Sequence, residues 1–260
     1  FESGFAQKID GATVQVVSTD SVVYDFVEND SAYTWVSPDS STFGQVGASY
    51  FLFVEINGQQ YSSYTTMGRA PAIDSIRYNF EEEIPNFIYE DHFLAEFYAT
   101  DPVGVGDAFW IKAWKNDQPL NKPSEISFTF DAGTSAGTEV DGIQFIQPIR
   151  TAINPLDDDT EDERPGFPLP YATGDSVTVE IHAISAEAFF FLSEVSIQTN
   201  RAGGFAALFA QPVANVSSNI FNVDEDSKER AVGFFNVGQV TSAGKTLTAA
   251  AAEEARERFE

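Results

Sequence analysis

The sequence predicts a mainly β protein: an N-terminal Ig-like or transthyretin-like β-sandwich followed by a second antiparallel β-domain that carries one short apolar helix. Three observations lead there. Stretches such as GATVQVVS and YFLFVEI cluster or alternate β-branched and aromatic residues with the period of two that a strand requires. Asn57-Gly58 separates two such runs and supplies the positive-φ pair of a type I′ hairpin turn. One interior stretch, ISAEAFFFLSEVSIQTN at 184–200, breaks the alternation and reads as a helix.

In chain order, GATVQVVS (11–18), VVYDFVE (22–28) and AYTWV (32–36) are strands, and YFLFVEI (50–56) pairs with QQYSSYTTM (59–67) as the hairpin. These strands define a first domain over 1–70, and the proline-marked RAPAID segment (69–74) is the boundary. The second domain, 71–248, is read as IRYNFEEE (76–83), HFLAEFYAT (92–100), AFWIKAWKN (108–116), EISFTF (125–130), IQFIQP (143–148), SVTVEIHAI (176–184) and GFFNVGQV (233–240). Its helix spans about 186–198. Ser185 is suited to the N-cap, Glu187 to the positive end of the dipole, and Gly203-Gly204 to the stop. Apolar residues cover most of that helix's circumference, which predicts burial on two sides or a surface shared with a partner. Residues 249–260 form a short helical tail, which can fray or dock.

Composition narrows the function. Forty acidic residues against 14 basic ones give a formal charge of −26. That field repels phosphate backbones and anionic head groups, so nucleic acid is excluded as a partner. With no cysteine there is no disulfide framework, thiolate metal site or cysteine nucleophile. No apolar run approaches the ~20 residues of a membrane helix.

Catalytic signals are weak. Gly174-Asp175-Ser176 has the letters of a lipase-type serine motif but no late Asp-x-x-His, and it reads better as a turn launching a strand. His92 and His182 have no GxSxG serine to activate. Trp35, Trp110 and Trp114 could stack a sugar if exposed; Trp110 and Trp114 share one strand face, where core burial is expected of both. No cofactor is implied. Calcium is the one ion the acidic loop could gather, at Asp157, Asp159 and Glu161, although without a DxDxDG turn a solvated charge run is the stronger reading. Asp-Ser-apolar triplets place possible O-glycosylation at Ser21, Ser31, Ser75 and Ser176, against ordinary turn chemistry at the same positions.

From residue 177 onward the order of motifs resembles the C-terminal block of the family known as domain of unknown function 4249. The residues that carry it are Ile184 to Ala188, Gly203-Gly204-Phe205, Pro212 with Asn215, Asn219-Ile220 and Gly233-Phe234-Phe235. Upstream, GATVQV, the GASYFLFVEINGQQY hairpin, PAIDSI, DPVGVGDAFWIKAWKND and Asp141-Gly142 follow in matching order. The resemblance implies a Bacteroidota outer-membrane lipoprotein, encoded beside a TonB-dependent receptor, with further strands and a lipidated cysteine upstream of Phe1. It carries over no catalytic residue. The expectation is a non-enzymatic accessory lipoprotein, lipid-anchored at the outer membrane on its cell-surface or periplasmic side and docked on a β-barrel transporter. Phe190, Phe191, Phe205 and Phe209 are the candidates to face that partner. A surface glycan- or peptide-binding module is the alternative.

Overall fold

The computed structural model describes residues 9–30, 32–38, 43–83, 91–135, 140–157, 168–200 and 216–259. The chain is mainly β with antiparallel sheets, and it divides into two units. The first comprises the described residues of 1–68 and 215–237, the second those of 69–214 and 238–260. Assigning everything after residue 70 to the second domain therefore missed a return: the segment up to 237 belongs with the first unit.

The first unit is built on β1 (Thr13–Ser18), β2 (Val23–Glu28), β3 (Tyr33–Thr34), β4 (Ser49–Ile56), β5 (Gln59–Thr66) and, from the return, β12 (Phe221–Asn222). They form one six-stranded sheet in the order β12-β5-β4-β1-β2-β3. Asn57 (φ 51°) and Gly58 (φ 74°) make the turn between β4 and β5. Alternation sends Val16, Tyr50 and Leu52 inward, where Phe43, Ile220, Phe235 and Val237 pack over them. Among the described residues, the layer opposite this sheet is made of such loop segments and contains no second sheet. Asn219 fastens the return: its Nδ2 donates to the Phe235 carbonyl and its Oδ1 accepts from the Phe235 amide, both at 2.8 Å.

The second unit has two β layers. β6 (Ile73–Glu81) and β7 (His92–Ala99) form a ribbon. β8 (Ala108–Lys115), β9 (Gln118–Pro119), β10 (Ser127–Phe130), β11 (Ser176–Ile184) and β13 (Val240–Thr246) form a sheet ordered β10-β8-β11-β13, with β9 paired to β8. Tyr78, Phe97, Phe109, Ile111, Val179 and Ile181 meet between the layers. Asn154 caps the ribbon like an extra strand residue, its amide exchanging 2.8 Å hydrogen bonds with the Ala95 backbone N–H and C=O.

Two expected strands are corrected. IQFIQP instead makes one isolated bridge at Gln144 and then turns into α1 (Gln147–Thr151), because Pro148 cannot donate to a ladder but suits a first helical turn. GFFNVGQV gives way to β13 just downstream; Gly233 has φ 99°, and a Cβ on Gly238 would collide with the Ala183 carbonyl oxygen.

The interior helix is α2 (Ala186–Thr199), capped by Ser185, whose Oγ accepts from the Ala188 amide at 3.1 Å. Phe189 packs edge-on against Phe128 and Phe130 of β10. Burial is on one side only: Ala188, Phe189 and Leu192 are buried, but Phe190 and Ile197 face outward. The tail is α3 (Ala249–Phe259), and it docks. Ala252 and Ala255 are buried, Arg258 donates to the Tyr78 carbonyl at 2.8 Å, and Arg256 lies over the Phe80 and Phe93 rings.

Candidate functional site

The outer face of the first unit's sheet is where its strand pattern departs from apolar-in, polar-out. Strand register builds it in rows. Tyr64 pairs with Phe51, Phe51 with Val17 and Val17 with Val23, an apolar row across four strands. In the next row Phe221 lies opposite Ser62, Ser62 opposite Phe53, and Phe53 opposite Gln15, which donates to Asp25 at 2.7 Å. Exposure reaches 40% for Phe51, 46% for Phe53, 71% for Tyr64 and 63% for Phe221. A groove of about 360 Å³ beside them is lined by Thr13, Gln15, Phe53, Glu55, Gln60 and Val223. Aromatic side chains on a twisted sheet, rimmed by Asp25, Glu55 and Gln60, give a face with the anatomy of an interaction surface.

A second, smaller platform lies on the non-core face of the second unit's sheet. Trp110 and Trp114 are half-buried there, not in the core between the layers, which corrects the burial expected of them. Lys112 Nζ sits 4.1 Å from the Trp110 ring centroid, and His182 pairs across the strands with Trp110. His182 Nε2 lies 2.7 Å from Glu180 Oε2. Burial lowers the His182 pKa, against the opposing pull of Glu180, and burial likewise lowers that of Lys112. Trp35 packs edge-on against Tyr24 and Phe43 at 5.4 Å in the first unit.

Three carboxylates converge in the second unit. Asp101, Asp131 and Asp141 each offer one oxygen, and the three oxygens lie within 4.8 Å of one another. Backbone amides also reach these carboxylates: Gly142 N–H donates to Asp101 Oδ2, those of Gly106 and Asp107 to Asp131 Oδ1, and that of Gly104 to Asp141 Oδ1. Burial pushes the Asp101 carboxyl up to about 6, with the charges of Asp107, Asp131 and Asp141 adding to the rise and the Gly142 amide opposing it. In the sequence, only the presence of DPVGVGD and Asp141-Gly142 in the resemblance hinted at this place. Forty acids otherwise hide any particular trio.

Of the residues singled out from sequence, Phe190 is exposed at 55% and Phe191 is half-buried on α2, whereas Phe205 and Phe209 lie outside the described residues. Asp157 is half-buried at the end of its segment; Asp159 and Glu161 lie outside the described residues. Ser21 is exposed in the turn after β1 with φ 64°, Ser75 sits at an irregularity in the β6–β7 register, and Ser176 opens β11, its amide donating to Asn116. Ser31 lies outside the described residues. The outer-face aromatics Phe51, Phe53, Tyr64 and Phe221 were not singled out from sequence.

Fold and surface together define an antiparallel β protein of two units with an exposed aromatic sheet face. The chain belongs to the family described as Domain of unknown function (DUF4249), which matches residues 1–243. No curated protein and no solved structure matches the chain.

Proposed function

We propose that this protein is a non-enzymatic accessory lipoprotein of the outer membrane that docks on a β-barrel transporter of the TonB-dependent kind, using the outer face of its first sheet. The observation that carries this reading is the aromatic face itself, four large rings presented to solvent by a chain whose charge of −26 needs no help to stay soluble. Membership of the family supports it through the lipid anchor and transporter partner that the resemblance implies. No helix among the described residues is long and apolar enough to cross a membrane, so in this reading attachment comes from an upstream lipid. Phe190 on α2 offers a further apolar contact. The test is affinity purification of the tagged native protein from its own outer membranes in mild detergent. Recovery of a β-barrel in stoichiometric amount is the expected result; a lone monomer would overturn the reading.

A second reading, a surface module that binds glycan or peptide, is favoured by the Trp110, Lys112, Glu180 and His182 platform. An indole flanked by hydrogen-bonding groups is suited to stacking a sugar ring. A saturable change in tryptophan fluorescence on titration with oligosaccharides would support it over docking alone.

A further inference from the structure

The structure assigns a calcium site to Asp101, Asp131 and Asp141. Asp101 is 2% exposed and Asp131 3%, so two of the three carboxylates are nearly sealed from water. Asp101 Oδ1 is fully buried and has no hydrogen-bond partner. A buried carboxylate oxygen left unpaired beside two more carboxylates is costly unless something positive occupies the space between them.

Arg69, whose guanidinium feels the charges of Asp101 and Asp141, has its hydrogen bonds committed elsewhere. Arg69 forks onto Asp107, with Nη2 at 2.7 Å and Nε at 3.1 Å, and Nη2 also donates to the Val103 carbonyl at 2.8 Å. It steadies the same loop and neutralises the fourth acid, but it makes no hydrogen bond to the three.

The donor set selects the ion. Three oxygens with no imidazole or thiolate suit a hard cation. Calcium takes oxygens at about 2.3–2.6 Å, so ligands on opposite sides of one ion stand roughly 4.6–5.2 Å apart, whereas magnesium holds its opposite ligands near ~4.1 Å. Separations within 4.8 Å fit inside a calcium shell. The surrounding backbone is shaped to bring the acids together. Asp131 has φ 50° and Gly104, Gly106 and Gly142 have positive φ, while a Cβ on Gly142 would meet Val103 Cγ2 at 3.0 Å. Asp131 N–H donates to the Asp107 carbonyl at 2.7 Å and Asp101 N–H to that of Ile143 at 2.9 Å, so the loops that bear the ligands are already tied to one another. The ion would bolt them together at the ends of β7, β8 and β10.

The full chain, stripped with chelator and titrated with calcium chloride in physiological salt by calorimetry and thermal melting, tests the site. The expected result is one saturable binding event with a rise in melting temperature that an equal concentration of magnesium does not reproduce. Asp101→Asn and the more exposed Asp141→Asn should each weaken binding at least about tenfold, and Asp157→Asn should leave it unchanged. No saturable binding, equal binding by the Asp141→Asn variant, or loss on Asp157→Asn alone would overturn the assignment. The outcome is independent of whether the protein docks on a barrel.

Discussion

Replacing Phe221 by threonine separates recognition from stability. Phe221 pairs on β12 with Ser62 and is 63% exposed, so its ring is already largely in water in the free chain. Threonine keeps strand preference, and the expected change in folding stability is within about 0.5 kcal/mol. Binding should respond differently. With about 200 Å² for a Phe or Tyr side chain, the exposed part of Phe221 is roughly 125 Å². At ~25 cal/mol/Å² its burial contributes about 3 kcal/mol, a loss of roughly a hundredfold in Kd when removed. Phe51, Phe53, Tyr64 and Phe221 together present about 440 Å², worth ~11 kcal/mol before the costs of association, which largely cancel when variant and wild type are compared. The assay is quantitative recovery of the barrel from native outer membranes on immobilised wild type, Phe221→Thr and the Phe53→Thr/Phe221→Thr pair, with melting curves of each. Recovery that falls while melting stays constant agrees with the reasoning. A pair variant that melts like wild type and recovers the barrel equally well refutes it.

Other predictions concern the fold that positions these sites. Phe189→Ala removes the ring wedged between Phe128 and Phe130 and should destabilise the second unit by about 3–5 kcal/mol in denaturant unfolding. Glu96 is buried; burial alone would raise its pKa, but hydrogen bonds from Tyr98, Arg150 and Asn79 outweigh this and hold it below the ordinary carboxylate value. A depressed carboxylate stabilises the fold above its unfolded pKa and loses that contribution as pH falls through its folded pKa. Glu96→Gln should therefore cost about 2 kcal/mol near neutrality, and the gap from wild type should close in thermal melts taken below about pH 4. Asn219→Ala severs both bonds to Phe235 and should lower stability by about 1–3 kcal/mol, with faster hydrogen exchange in the return segment as the local readout.

Much of the fold was legible because its signals are local. Asn57-Gly58 can do little other than turn a hairpin, Ser185 caps α2 where expected, β7 is rich in aromatic residues and β11 in β-branched ones. The misreadings have physical causes. β13 reads VTSAGKT, whose small and polar residues advertise no strand; it is ordered by pairing along β11, with Gly244 close against Thr178. GFFNVGQV has strand-like letters, but glycine geometry and the side-chain clamp of Asn219 hold it as a loop. The return to the first unit depends on contacts across more than 150 residues, such as Asn222 to Gln59 at 2.9 Å, which no local window contains.

The candidate site was least legible. YFLFVEI is apolar on both faces, and a run of that kind does not say which face water touches; only register places Phe51 and Phe53 on the outside. The carboxylate trio is hidden differently: its members are 30 and 10 residues apart along the chain, and nothing in the letters separates a buried aspartate from the many solvated ones.

Photo-crosslinking in the native outer membrane tests the central claim most directly. A light-activated residue at position 221 or 53 should give adducts to a β-barrel protein, and one at Val16, on the inner face of the same sheet, should give none. Adducts to no barrel from either outer-face position, with the protein folded and in place, would contradict the claim that this sheet is its docking surface.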